Sequence, residues 1–229
     1  MLALTVFGIW LGIETDRALK QRRAVEMVRK FGGMVGYRHQ RIGTSNWDSS
    51  VEPWAPRWLR QIMGEDYFVS VFEVYLANYG NPVDPPMGVL QRLTDDDIGC
   101  LAGLRRLERL DLARAPVTAQ GLAHLVGLQN LEYLDLRDTI ITDQHLEQLG
   151  RLRHLKDLRL GTHSNASPAL ASQITDQGIS HLKHLTQLDT LFLDDLPITD
   201  EGLAHLTGLT NLHDLSLRRT RVTDAGLKP

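Results

Sequence analysis

A repeat with a 24-residue period constrains the fold of this chain more than any other feature. Similar units open with valine or isoleucine followed by threonine, at Val117-Thr118, Ile141-Thr142, Ile174-Thr175, Ile198-Thr199 and Val222-Thr223. Successive copies lie 24, 33, 24 and 24 residues apart, and a degenerate copy, Leu93-Thr94, precedes the first by 24 residues. Periods of this length are typical of stacked repeat architectures.

Each unit also contains the pattern L-x-x-L-x-L, as in Leu131, Leu134 and Leu136. The period of two at its end predicts a short strand with one buried face. The other half of the unit has helical spacing, as in the Leu122–Leu128 segment. One strand and one helix cannot bury their leucines alone, so neighbouring units must stack. The sequence therefore predicts an α/β solenoid with five to six parallel strands.

The threonine of each unit stands where a helix N-cap is expected, and aspartate commonly follows it in the first turn. The positive end of the helix dipole favours a carboxylate there. The threonines are Thr118, Thr142, Thr175, Thr199 and Thr223, and the aspartates are Asp143, Asp176, Asp200 and Asp224.

L-x-x-L-x-L followed by [IV]-T-D-x-G-L-x-H-L resembles the leucine-rich-repeat superfamily of the ribonuclease-inhibitor-like type. It is most similar to bacterial proteins with tandem "TDAGLAHL" repeats, which often carry an N-terminal membrane anchor. The resemblance covers Leu93–Leu227. It implies a curved solenoid with parallel strands on the concave face and helices on the convex face. The superfamily often has an asparagine ladder after the strand, whereas this chain has Ala115, Thr139, Leu196 and Thr220, so hydroxyls or water must satisfy backbone groups there.

Three segments are predicted. Residues 1–38 form a hydrophobic segment and a basic helix, residues 39–70 an N-terminal cap, and residues 71–229 the solenoid. Val71–Leu76 satisfies the strand spacing and is expected to start the sheet. Trp54 and Trp58 are interpreted as covering the first leucine layer, with a ligand-stacking pair as the alternative.

Met1–Ile13 carries no charge but is shorter than the roughly 20 apolar residues that span a bilayer. Residues 14–38 carry more basic than acidic residues, which is typical of the segment that stays on the cytoplasmic side next to a membrane helix. One interpretation is a membrane anchor that begins further upstream, with the repeats on the cytoplasmic side. The other is a buried or amphipathic helix of a cytoplasmic protein, with Ala24, Met27, Val28 and Phe31 on its apolar face.

The end of the sequence carries a second expectation about partners. Val222–Leu227 opens another unit, and Leu215 and Leu217 are expected to be exposed beside it. Fraying or end-to-end self-association would follow.

The sequence predicts no catalytic activity. The net charge is −3, and residues 93–229 carry 14 Lys and Arg against 19 Asp and Glu, so nucleic acid is not expected as a partner. Phosphate-binding loops and hydrolase or metalloprotease motifs are missing, and no cofactor is expected. The single cysteine, Cys100, takes a helix position that His205 takes in another unit. His181 and His205 lie one repeat apart and are interpreted as solvated positions rather than metal ligands.

The strand residues that alternate with buried leucines point into the concave face and form rows across the sheet. Their mixed charges and two aromatic rings predict a recognition surface for a protein or peptide. A soluble face whose charges pair with each other is the alternative, although Asp111 beside Asp135 argues against it unless Arg159 offsets their repulsion. The candidate binding residues are Arg109, Asp111, Tyr133, Asp135, Arg137, Asp157, Arg159, Phe192, Asp194, Asp214 and Arg218.

Two irregular connections follow strands at the same point of the unit, Ala77–Arg92 and Gly161–Gln173. In a stacked solenoid both would project from one rim, where insertions often gather on the binding side. The predicted function is therefore partner binding through the concave face and its rim loops. The alternatives are a membrane-tethered scaffold or spacer and a substrate-recognition adaptor for an enzyme, for example in a ubiquitin-ligase-type complex.

Overall fold

The computed structural model describes residues 2–42, 46–47, 51–76, 90, 92–162 and 173–227. Within this part of the chain the helices are α1 (Leu2–Lys30), α2 (Arg57–Met63), α3 (Asp95–Leu101), α4 (Ala119–Ala123), α5 (Asp143–Leu149), α6 (Asp176–Ile179) and α7 (Asp200–Ala204). The strands are β1 (Met34–Tyr37), β2 (Arg41–Ile42), β3 (Asn46–Trp47), β4 (Val71–Tyr75), β5 (Arg109–Asp111), β6 (Tyr133–Asp135), β7 (Asp157–Gly161), β8 (Thr190–Asp194) and β9 (Asp214–Ser216). Short 3-10 helices cover Arg38–Gln40, Glu65–Tyr67, His124–Gly127 and Ser180–His184.

One seven-stranded sheet runs through the described residues in the order β1-β4-β5-β6-β7-β8-β9. Strands β4 to β9 are parallel, and each repeat adds one strand in the register that the leucine pattern predicts. The predicted strand Val71–Leu76 is confirmed as β4, the first of the parallel strands, but it does not start the sheet. The antiparallel edge strand β1 was not predicted. The α/β solenoid expected from the repeat is therefore the observed fold.

The core is a stack of leucine layers between the sheet and the helices. Leu110, Leu134, Leu158 and Leu191 are aligned across neighbouring strands, and each is fully buried. A side chain in this position gains its burial from the repeats on either side, so the layers stabilise each other.

Two threonine hydroxyls satisfy backbone carbonyls of their own repeats at positions where the superfamily often has asparagine. The hydroxyl of Thr139 donates a hydrogen bond to the carbonyl oxygen of Leu136, and that of Thr220 donates to Leu217 at 2.8 Å. The expectation that hydroxyls satisfy backbone groups after the strand is thus confirmed at these two positions.

The aspartate of the T-D-x-G-L motif joins adjacent repeats. Asp143 accepts hydrogen bonds from the backbone N–H of Thr175 at 2.9 Å and from its hydroxyl at 2.7 Å, one repeat further along. Asp176 accepts the same pair from Thr199, at 2.8 and 2.6 Å. The N-cap role of threonine is confirmed, since the hydroxyl of Thr175 also accepts from the N–H of Gly178. The aspartate therefore does more than complement the helix dipole.

The glycine of the motif makes room for this carboxylate. A Cβ atom at Gly178 would lie 1.9 Å from Oδ1 of Asp143, and one at Gly202 would lie 2.3 Å from Oδ1 of Asp176. Both distances are far inside van der Waals contact. The motif thus couples an aspartate in one repeat to a glycine in the next.

One pair of repeats breaks the rule at both positions. Ala119 stands where the other units have aspartate, and His145 stands where the next unit would have glycine. The buried imidazole accepts a hydrogen bond from the N–H of Thr142 at its Nδ1, 3.2 Å away, and donates from Nε2 to the carbonyl oxygen of Val117 at 3.0 Å. These partners require the neutral ring with its proton on Nε2. Burial lowers the pKa of His145, which keeps the ring in this form.

The second half of α1 belongs to the solenoid core. Ala24, Met27, Val28 and Phe31 are buried in the same apolar cluster as the leucines, as the predicted apolar face requires. The buried amide of Gln21 donates to the carbonyl oxygens of Asp66 and Val69 and accepts from the N–H of Val71, which fixes α1 to the start of β4. No helix among the described residues is long and apolar enough to cross a bilayer.

The interpretation of Trp54 and Trp58 as a cover for the first leucine layer was wrong. Trp54 is 80% exposed and Trp58 is 62% exposed, so neither indole lies in the core. Val28 and Leu76 instead come together beside Gly33, where α1 turns into β1. Buried side chains from residues 24–31, and partly buried Val35 and Tyr37 of β1, pack against the core, and all of them precede the segment predicted to cap it.

The aspartate–glycine coupling predicts a specific cost for Gly178→Ala. The added methyl group would collide with Asp143, so we expect a loss of about 1–3 kcal/mol in unfolding free energy. Removing that carboxylate with Asp143→Ala should reduce the cost of Gly178→Ala to well under about 1 kcal/mol. Urea denaturation of the single and double variants measures both quantities.

Gly127→Ala is the matched control, because a Cβ atom there has nothing within 4 Å. It should leave the stability almost unchanged. If Gly178→Ala were as harmless as Gly127→Ala, or equally costly in the Asp143→Ala background, the coupling would be refuted.

Candidate functional site

The candidate site is the sheet face opposite the helices, which we call the concave face. Strand pairing places the predicted residues in rows, one from each repeat. The first row runs Arg109, Tyr133, Asp157, Thr190, Asp214, and the second runs Asp111, Asp135, Arg159, Phe192, Ser216. Neighbours in a row are about 4.8 Å apart along the sheet.

Strand β4 extends both rows with residues that the sequence analysis missed. Glu73 pairs with Arg109 in the first row, and Tyr75 pairs with Asp111 in the second. The phenol of Tyr75 donates a hydrogen bond of 2.8 Å to Glu73, and the guanidinium of Arg109 lies 3.9 Å from the same carboxylate. Their alternation with Val74 was the available signal, since it has the period of two that identified the other rows.

Arginine and aromatic side chains stack across strands β5 to β8. The guanidinium of Arg109 lies 3.9 Å from the ring centre of Tyr133, and that of Arg159 lies 5.0 Å from the ring centres of both Tyr133 and Phe192. Such cation–π contacts hold planar groups in fixed orientations. Asp157 fixes Arg159 further by accepting two hydrogen bonds of 3.0 Å from Nε and Nη2.

Tyr133 is less accessible than its predicted role as a binding residue requires. It lies on the concave face as expected but is only 6% exposed, and its hydroxyl donates to Asp135 at 3.2 Å. Burial, and then the nearby Asp135 carboxylate, raise the pKa of its phenol. Tyr133 therefore supports the two arginines from below and offers little surface of its own to a partner.

The carboxylates of Asp111 and Asp135 are also buried beneath this layer, at 5% and 0% exposure. Arg137 neutralises Asp135 through hydrogen bonds of 3.0 Å from Nε and 2.6 Å from Nη2. The predicted offset by Arg159 is only part of the compensation: the positive charges of Arg137 and Arg159 both lower the pKa of Asp111, while Arg159 hydrogen-bonds Asp157. Asp111 accepts a hydrogen bond from the N–H of Ala113 at 2.9 Å.

Burial and the neighbouring Asp135 together raise the pKa of Asp111 to about 7. Asp135 forms an ion pair with Arg137 at 2.6 Å, whereas Asp111 accepts its hydrogen bond from a backbone N–H. The concave face therefore holds one carboxylate paired with an arginine beside one that keeps its proton to a higher pH than an ordinary aspartate.

The remaining candidates lie towards the last strands and are more accessible. Asp194 accepts hydrogen bonds from the hydroxyl of Ser216 at 2.6 Å and from the N–H of Arg218 at 2.8 Å. The residues Asp214 and Arg218 are exposed, and Phe192 is half-buried. The sheet thus changes from a buried network at β5 and β6 to an open surface at β8 and β9.

The two predicted rim loops lie largely outside the described residues, which omit 77–89, 91 and 163–172. Cys100 is half-buried on α3. His181 is half-buried and His205 exposed in their respective repeats. Within the described ranges no three or more histidine, cysteine, aspartate or glutamate side chains cluster as metal ligands would.

No protein-family model matches the chain, and neither does any curated protein. An internalin from Listeria monocytogenes is 31% identical over 55% of this chain and 33% of its own length, with a TM-score of 0.45. The plant peptide hormone receptor RGFR1 in complex with RGF2 is 16% identical over 54% of this chain and 19% of its own, with a TM-score of 0.35. The leucine-rich-repeat ectodomain of the receptor kinase SOBIR1 from Arabidopsis thaliana is 13% identical over 89% of this chain and 96% of its own, with a TM-score of 0.42. The chain thus spans about a third of the internalin and a fifth of the hormone receptor.

The class of protein follows from the chain's own geometry. Each of the repeats that carry β5 to β8 adds one parallel strand in register, one buried leucine layer and one short helix, and the last strand, β9, adds a partly buried layer. The chain is an α/β leucine-rich-repeat solenoid.

The buried carboxyl group of Asp111 predicts a stability that depends on pH. The unfolded chain releases this proton near pH 3.9, whereas the folded protein releases it near pH 7. The folded state therefore binds more protons between these values, and the contribution of Asp111 to stability falls as the pH rises from about 4 to about 7. Asp111→Asn should be about 1–4 kcal/mol more stable than the wild type at pH 8, with a gain that shrinks towards pH 4.

Urea denaturation at pH 8 and pH 4.5 measures this difference. The exposed Asp214 on the same face supplies the control variant Asp214→Asn, which should show no such gain. A stability gain for Asp111→Asn that is equal at both pH values would contradict the assigned protonation.

Proposed function

We propose that the concave face binds a protein or peptide partner, with Arg159 and Phe192 as its central contacts. The stacked layer of Arg159 and Phe192 supports this proposal most directly. The side chain of Arg159 is 27% exposed although it contacts two rings and one carboxylate. Arginine and aromatic residues dominate the binding energy of many protein interfaces.

The side chain of Arg159 is preorganised for binding. Asp157 and the rings of Tyr133 and Phe192 already hold the guanidinium of Arg159 in one orientation. A partner would order few side chains on binding, so less of the contact energy would be spent on lost conformational entropy. The exposed Asp214 and Arg218 extend the contact surface towards the last strand with both signs of charge.

A structural scaffold or spacer, tethered to a membrane through the N-terminal segment, is the second candidate. The pairing of Asp135 with Arg137 and of Asp157 with Arg159 favours it, because a face that satisfies its own charges needs no partner. The same surface would equally serve an adaptor that presents a substrate to an enzyme. The two candidates differ in how they tolerate substitutions on the concave face.

Binding is tested by affinity capture and quantitative mass spectrometry with the full chain and two variants. The first variant, Arg159→Ala with Phe192→Ala, removes the central contacts. The second, His205→Ala, changes an exposed residue on the helix side. Circular dichroism first verifies that both are folded. A specific partner should be captured by the wild type and by His205→Ala, and should bind the double variant at least about tenfold more weakly.

Capture that survives in the double variant but disappears in His205→Ala would place the interface on the wrong face. The scaffold would be favoured if the wild type captures no specific partner and the double variant replaces the wild-type protein in cells without loss of function.

A further inference from the structure

Exposed apolar side chains are concentrated at the N-terminal end of the molecule. Of the nine large hydrophobic residues that are exposed in the described part of the chain, seven lie within the first 62 residues. These seven are Ile9, Ile13, Leu19, Met34, Trp54, Trp58 and Ile62. Three of them, Trp54, Trp58 and Ile62, form what we call the indole patch.

The indole patch is built on and just before helix α2. Trp58 and Ile62 are four residues apart and thus share one face of the helix, and Trp54 precedes it by less than one turn. The opposite side is anchored, since the buried Arg60 donates hydrogen bonds to Glu52 and Glu65. The helix therefore turns Arg60 inward, while Arg57 stays in solvent and Ile62 is 75% exposed. A buried arginine together with an exposed tryptophan and isoleucine departs from the usual amphipathic arrangement.

A chain of contacts connects the indole patch to the uncharged end of α1. The ring of Trp54 meets Phe68 edge-on at 5.6 Å, and Phe68 lies 6.1 Å from the ring of Tyr67. The hydroxyl of Tyr67 donates to the carbonyl oxygen of Leu11 at 3.2 Å. Beyond this contact, towards the start of the helix, residues 2–13 carry no charge, and Ile9 and Ile13 are exposed. The two apolar surfaces therefore lie at the same end of the molecule.

The same region is the basic part of an otherwise acidic protein. Residues 1–62 carry 10 Lys and Arg against 5 Asp and Glu, whereas residues 63–229 carry 15 against 23. Basic residues close to a lipid surface are attracted by anionic headgroups. The charge of this end thus complements a negatively charged membrane, and the charge of the repeats does not.

We propose that the indole patch docks on the surface of an anionic lipid bilayer, with Trp54, Trp58 and Ile62 inserted at the level of the headgroups. Tryptophan prefers this depth because its ring is apolar and its N–H remains hydrated. Interfacial attachment of this kind combines buried apolar area with attraction to anionic lipids. The docking does not depend on the concave face, which would remain free for a partner.

The indoles themselves report insertion. In a full-length Trp10→Phe, Trp47→Phe background, Trp54 and Trp58 are the remaining tryptophans. Adding vesicles of phosphatidylcholine with a quarter phosphatidylglycerol should shift their emission to shorter wavelength, and brominated lipid should quench it at least twofold. Pure phosphatidylcholine vesicles or high salt should weaken both effects, because salt screens the attraction.

Sedimentation with the same vesicles tests the contribution to binding. Trp54→Ser, Trp58→Ser and Ile62→Ser together should reduce vesicle binding about tenfold or more. The matched control is Ile140→Ser, which removes an exposed isoleucine from the repeat region and should change nothing. All four positions are exposed, so both proteins should fold.

Two results would overturn the proposal. In the first, the full chain sediments with vesicles while the emission of Trp54 and Trp58 is neither shifted nor quenched, so that α1 alone makes the contact. In the second, the emission shifts with protein concentration in the absence of lipid and analytical ultracentrifugation shows a dimer, so that a second copy covers the patch.

Discussion

Neither the strand nor the helix of a single repeat can bury its own leucines, and every other feature of the structure depends on this constraint. Burial requires that each unit stack on the next in one register, which aligns Leu110, Leu134, Leu158 and Leu191. The same register turns single residues into rows on the concave face. It also brings the aspartate of one helix start to the threonine of the next, as Asp143 meets Thr175.

The sequence predicted the features that depend on periodicity. A period of two within a 24-residue repeat determines which residues face the core, so the strand register and the concave rows followed directly. Periodicity did not predict how the side chains within a row pack against each other. Tyr133 is buried because two arginines lie over its ring, and Asp135 binds Arg137 rather than Arg159. Such choices depend on rotamers, which periodicity does not determine.

Outside the repeats the sequence offered only composition. Apolar composition around Trp54 and Trp58 suggested a cover for the core, but the core instead receives Val28 and Phe31 from α1. The edge strand β1 escaped prediction because it occurs once and has no copy to compare with. The aspartate–glycine coupling was visible in retrospect, since Ala119 and His145 depart from the motif together in consecutive units.

The leucine layers form the core on which the solenoid depends, and comparing two truncations tests them most directly. Leu134→Ala removes a fully buried side chain from the centre of the stack, whereas Ile140→Ala removes one that is 54% exposed in the same repeat. Chemical denaturation should show a loss of about 2–5 kcal/mol for Leu134→Ala and less than about 0.5 kcal/mol for Ile140→Ala. Equal losses for the two variants would mean that this register does not form the core.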